Sequence, residues 1–465
     1  MRSFSCLRRK IGLVAVVAAI VISSGYVLSG GKGNLGNFYS ESQLSGQPRL
    51  VSIEPFPERG GPMCQWVPAS TSHALYATLW QEQMSAGAAS TDDAVARAEV
   101  AQRRPLRTIG DPYGNFSAVG VDPVRNEVIL QDENLFRILV YNRLDNTPPG
   151  ATMTEPKRFI GGEQTDLMLN CALYLDPKNG DIYSVNNDSI DSTVVFSRQA
   201  EGNVSPDRKL HTPHGSFGIA VDEENHELFL TVEHDSAVVV FHKMAQGEDS
   251  PIRLLQGDHT GLADPHGIAV DLEKDLIFVA NHGSVHRVVE DGENPSRENW
   301  PLDRDRTVPG SGKNLPPSIT VYARTASGDV SPLRVIQGPK TQLNWPAGMA
   351  IDSERGELYV ANDMANSVLV FSTSANGDAA PIRALKGPKT LIRYPNGVAL
   401  DLVNDELWVA NFGNHAATVY KRDATGDTPP LRVIRSGPLN TNLPSLGNPF
   451  PVAFDTKRRE ILVPN

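Results

Sequence analysis

The sequence predicts an all-β fold, a seven-bladed β-propeller with a six-bladed ring as the alternative, preceded by an export segment and a short helical linker. Three observations predict it. Seven short apolar strands end in Asp, at 118–122, 172–176, 218–222, 267–271, 348–352, 397–401 and 451–455. The Asp-to-Asp intervals are 54, 46, 49, 81, 49 and 54, the long period of a repeat built from several short strands. Seven Pro-x-Arg motifs accompany the Asp strands, from Pro105/Arg107 to Pro430/Arg432.

The strands of each unit follow in order. Ten residues after each Asp a second strand ends at Asp132, Asn186, Val232, Asn281, Asn362, Asn411 and Asn465. A third strand ends in an aromatic residue, at Tyr141, Phe196, Phe241, Tyr322, Phe371 and Tyr420. The Pro-x-Arg segment opens the fourth. The first Pro-x-Arg precedes the first Asp strand, and no Pro-x-Arg follows the last Asp strand. This phase shift predicts a composite blade, in which the C-terminal strands join the N-terminal outer strand and close the ring, removing exposed edges. Residues 90–100 and 50–53 are the two candidates for its third strand.

The repeats PAGMAIDSERGELYVANDMANSVLVF at 346–371 and PNGVALDLVNDELWVANFGNHAATVY at 395–420 resemble NHL-repeat propellers. The resemblance covers 105–465. It implies the propeller fold and no particular activity, because sensors, adhesion modules, scaffolds and some enzymes share it. The Asp that usually follows Val-Ala in that family is mostly Asn here. No catalytic residue of the family's amidating-lyase branch carries over.

Residues 1–29 read as a signal peptide or an N-terminal membrane anchor. Arg2, Arg8, Arg9 and Lys10 precede an apolar run from Ile11 to Ile22, and Ser23-Ser24-Gly25 offers small residues for cleavage. Everything beyond is therefore expected to be exported, to the periplasm, the cell exterior or the outer face of a membrane. Residues 30–104 read as linker and short helix, with one helix at 72–84 and a second at 92–103. Cys64 and Cys171 are an even pair in an oxidising compartment and a candidate disulfide. The formal net charge of −11 argues against a nucleic-acid surface, which needs a basic stripe.

Features present in every unit belong to the fold: the seven Asp suit turns, the Arg suit pairing with acids, and the Asn suit bracing of loops. Function is sought where units differ. The loop entering each first strand and the loop leaving each second strand share one rim, the top. His214, Glu233, His234, His266, His282 and His286 cluster there on blades three and four, as candidate ligands for zinc or a similar divalent metal. An insertion after Asn281 is charged and carries Trp300, as a lid or partner contact. Trp300, Trp345, Tyr394 and Asn396 are candidate ligand-binding residues for a protein or carbohydrate. The leading expectation is a non-enzymatic exported propeller that binds through its top face. The alternatives are a metal-assisted hydrolase or lyase using the His/Glu cluster, and an assembly scaffold.

Overall fold

Six four-stranded antiparallel sheets surround a central channel. The computed structural model describes residues 113–187, 190–288, 302, 307–438, 453–455 and 460–462. These lie in the second of two compact units, Thr71–Asn465. Blade one consists of Phe116–Asp122, Glu127–Asp132, Arg137–Asn142 and Arg158–Gly161, from the axis outward. The inner strands of the next five blades are Asn170–Leu175, Ser216–Asp222, Pro265–Asp271, Pro346–Asp352 and Pro395–Asp401. The middle strands are near-continuous apolar runs, such as 128–130 and 238–241, because both faces of each blade are buried between neighbours. One such layer joins Phe116, Val128 and Tyr141 of blade one to Trp408, Ala410 and Val419 of blade six.

The ring has six blades, not seven, and it closes by direct packing of blade six on blade one. The expected composite blade is corrected accordingly: Ala453–Asp455 and Glu460–Leu462 pair with each other in a separate two-stranded sheet. The first Pro-x-Arg, both candidates for the third strand, the N-terminal helices and the export segment lie outside the described residues. Among the described residues no helix is long and apolar enough to cross a membrane.

The physical reason for six lies at the axis. The inner strands of four blades carry a glycine whose Cβ would strike the backbone of the next blade. A Cβ at Gly218 would lie 2.0 Å from the His266 carbonyl oxygen, and one at Gly267 would lie 1.9 Å from that of Ala347. A Cβ on Gly397 of blade six would lie 2.9 Å from Ala118 Cα of blade one. At the closing boundary too, then, no side chain fits between the inner strands, and six inner strands complete the circle.

A polar clasp on the bottom rim repeats the same message. The Asp ending each inner strand accepts turn N–H groups, such as those of Arg125, Asn225 and Arg355. At four of the six boundaries it also meets a cation that follows the third strand of the next blade: Lys243 reaches Asp176 at 2.6 Å and Arg324 reaches Asp222 at 3.2 Å. Arg422 reaches Asp352 likewise. At the closure Arg143 of blade one lies 3.7 Å from Asp401 and 2.8 Å from Glu406 of blade six. The Pro-x-Arg side chains pair inside blades with the Glu that opens the second strand, as in Arg253–Glu227 and Arg432–Glu406. Their guanidinium groups lie over Phe229 and Trp408.

Candidate functional site

The top rim begins at the Pro-x-Gly segment. Five of the six inner strands carry a β-bulge or register shift in their first residues, and blade three's pairing shifts opposite the same segment. A bulge re-aims side chains. The x residues Ser117, Cys171, Phe217, His266 and Asn396 line the mouth of a channel whose space, including that open to solvent, is about 450 Å³. Five positions with one backbone role thus carry different chemistry at the channel.

A second ring of such positions follows the second strands. The Asn that ends a second strand braces the loop before the inner strand of its own blade: the Asn281 side-chain oxygen accepts the Ala263 N–H, and that of Asn362 accepts the Asn344 N–H. The residue after it donates its backbone N–H to the residue preceding the inner strand, in all six blades: Glu133 to Asn115, Asn187 to Leu169, Glu233 to Gly215, His282 to Asp264, Asp363 to Trp345 and Phe412 to Tyr394. The frame is constant and the side chains are not.

Blades three to five bring the unusual members together. Rings form a ladder across the blade boundaries: Phe217 tilts against His266 at 4.2 Å, His266 stacks on His282 at 3.4 Å, and His282 stacks on Trp345 at 4.9 Å. Both nitrogens of His266 face acceptors. Nε2 lies 3.2 Å from a Glu233 carboxylate oxygen, and Nδ1 lies 3.1 Å from the Asp264 carbonyl oxygen. Glu233 is buried and also meets His234 at 3.1 Å and the Asn187 amide at 3.3 Å. Burial pushes its carboxyl up, but His234 and His266 outweigh that and hold it below the ordinary value. His282 is buried, and burial followed by the neighbouring His266 drives its imidazole well below the ordinary value, so it is neutral. Burial pushes the Asp363 carboxyl up to about 7, against a smaller opposing pull from His266. Among the described residues, His282 Nε2 and Asp363 Oδ1 are shielded atoms that make no hydrogen bond.

The remaining expected site residues are distributed as follows. His214 meets Asp191 at 3.0 Å, and its ring lies 5.6 Å from that of His234, on the far side of Glu233 from blade four. Trp345 is 50 % exposed and Tyr394 is 36 % exposed, both with positive φ at the residue before Pro. Trp345 therefore presents one face to His282 and has surface left for a ligand. Arg393 lies over the Tyr394 ring at 5.5 Å. Asn396 lines the channel. Cys171 is buried in the inner strand of blade two, while Cys64 and Trp300 lie outside the described residues. His286 lies in the strand Ser284–Val288, which pairs with Thr307–Asn314 as a two-stranded extension of blade four. Leu302 of the same insertion is buried in the apolar cluster of blades two and three, so the insertion returns to the body.

Sequence reasoning did not single out Asp264, Asp363 or Phe217. Asp264 and Asp363 occupy the positions that hold Trp345 and His282 in the neighbouring blades, so aligning the units at the residue before the inner strand and at the residue after the Asn would have found them.

No protein-family description matches this chain, and no curated protein matches it. Solved structures are similar to it at low identity. A hydrazine synthase structure from Kuenenia stuttgartiensis is 13% identical over 69% of this chain and 99% of that chain, with a TM-score of 0.44. A functionally unknown protein from Desulfotomaculum acetoxidans is 12% identical over 71% of this chain and 91% of that chain, with a TM-score of 0.43. A chain of a nidogen/laminin complex is 14% identical over 67% and 95% of the two chains, with a TM-score of 0.40. The class of protein, a six-bladed β-propeller, rests on the strand topology of this chain itself.

Proposed function

We propose that the protein is an exported, NHL-type propeller that binds a carbohydrate at the mouth of its channel, on the top of blades three to five. The observation that carries the reading is the second ring: a backbone frame repeated six times holds Glu133, Asn187, Glu233, His282, Asp363 and Phe412. Identical backbone with different side chains is what a fold-determined scaffold with a local binding task displays. A sugar presents a flat C–H face and a fringe of hydroxyl groups. The half-exposed Trp345 indole offers the matching apolar face, and the Asp363 carboxyl group, on the residue whose N–H meets the Trp345 carbonyl, accepts from hydroxyl groups. Export of the body is supported by the basic and apolar N-terminal segment.

A glycan array followed by calorimetry tests this. Trp345→Ala and Asp363→Ala are each expected to weaken binding at least about tenfold, with stability changed by about 1 kcal/mol or less, as for surface positions. Glycan binding unchanged in both variants, or a peptide selected in place of any glycan, would overturn the reading.

A further inference from the structure

We propose that blade four carries a divalent transition-metal site of the zinc class, built from Asp264, His266 and His282. It rests on the top-face binding reading for its role, since it names a cofactor at that mouth, but its geometry stands separately. One ligand atom from each of the three side chains lies within 4.8 Å of those from the other two. A metal bound at roughly 2.0–2.2 Å to nitrogen and oxygen draws its ligands to about 3–3.5 Å from one another. His266 Nδ1 and Asp264 Oδ1 are already 3.5 Å apart.

The six blades supply the comparison. The three positions involved are the residue before the inner strand, the x of Pro-x-Gly, and the residue after the second strand. Blade five fills them with Trp345, Ala347 and Asp363, and blade three with Gly215, Phe217 and Glu233. Blade four alone fills all three with metal-ligand types. Asp264 is held at φ 55, in the left-handed region, and its carbonyl oxygen accepts the His282 N–H at 3.0 Å, which keeps the ligands together.

Glu233 fits the outer partner of such a site rather than a ligand. A metal-binding imidazole usually gives its other N–H to a carboxylate, which fixes the tautomer. Glu233 lies 3.2 Å from His266 Nε2, which leaves Nδ1 for the metal, and Glu233 is itself held by His234 and Asn187. His282 Nε2, buried without a hydrogen bond among the described residues, is the atom whose cost a metal would relieve.

One feature must change on binding. A metal lies in the plane of each imidazole that holds it, and rings stacked at 3.4 Å with 18° between their planes cannot share one ion. His282 must tilt away from His266. Since His282 also stacks on Trp345, metal loading alters the surroundings of that indole.

The test is titration of zinc into the full chain after chelator treatment, read by calorimetry and by tryptophan fluorescence. One equivalent is expected, with a fluorescence change that Trp345→Phe abolishes while binding persists. His266→Ala, His282→Ala and the isosteric Asp264→Asn are each expected to weaken binding at least about 100-fold. Glu233→Gln should weaken it about 10- to 100-fold without changing the stoichiometry. His211→Ala and His259→Ala, on the outer edge of the ring, should leave it unchanged. Absence of saturable binding to folded protein, or affinity unchanged from the parent in Asp264→Asn and His282→Ala, would overturn the site. Glycan binding that survives chelation would separate the two ideas, leaving the binding reading in place even if the metal fails.

Discussion

The two rims of the ring are made by the same strands and are chemically opposite. On the bottom rim, charge is repeated and paired: Glu357 with Arg383, Glu406 with Arg432 and Arg143, Asp352 with Arg422. Arg383 holds the Glu357 carboxyl below its ordinary value, against burial. At Glu406 burial is outweighed by Arg432 and Arg143, and the direction is the same. On the top rim the Asn residues brace the loops, and the next position is left to vary. There Asp363 is pushed up instead of down. A rim whose carboxylates are paired with cations from blade to blade stabilises the ring. A rim with unmet groups in a few blades is where a partner can contribute binding energy.

The largest test of this contrast is at the closure. Arg143→Ala leaves Asp401 and Glu406 buried with less compensation, as Arg422→Ala does at Asp352. Each is expected to cost about 3–5 kcal/mol in denaturant unfolding. A much milder loss for Arg143→Ala would show that closure relies on something other than the bottom clasp.

A smaller effect is expected at Glu357. Its folded-state value is depressed, so its contribution is present above the ordinary value of 4.5 and is lost as pH falls through the depressed value. Glu357→Gln should therefore lower stability by about 2 kcal/mol at neutral pH, the scale of a charged hydrogen-bonded pair, and by progressively less as pH falls below the ordinary carboxylate value. A loss independent of pH would assign the effect to packing.

The smallest effect has the opposite sign. Asp363 ionises near 3.8 when unfolded and near about 7 when folded, so the folded state loses stability as pH rises through that window. In metal-free protein Asp363→Asn should raise stability by about 1 kcal/mol at pH ~8, discounted for its partial exposure, and change it little near pH ~4. A variant less stable than the parent at both pH values would place Asp363 among the structural carboxylates and blur the contrast between rims.

The sequence showed the blades because their signals are local. Strand periodicity, the terminal Asp, the bracing Asn and Pro-x-Arg each act within one blade or on its neighbour. The blade count was not local. The strand at 451–455 copies the motif of the other six, but whether a copy enters the ring depends on the approach of Gly397 to Ala118, residues far apart in the chain. The site was legible in part for the same reason. His266, His282 and Glu233 stood out by type, while Asp264 and Asp363 look like ordinary loop acids until blades four and five are superposed. Another signal was overlooked: the Gly at 202, 247, 328, 377 and 426 bridges to the outer strand of the preceding blade. The Asp that follows Gly328, Gly377 and Gly426 accepts the N–H of His259, Lys340 and Lys389 there.

The direct contact of blade six with blade one bears on how such a ring can be rewired. No boundary is privileged by a shared sheet, since Arg143 on Asp401 does what Arg324 does on Asp222. A circular permutant that joins the ring's ends through a flexible bridge, and opens the chain between two other blades, would keep every clasp. Ring membership is then a matter of adjacency alone, so a chain could begin its circle at any blade and enclose the same channel.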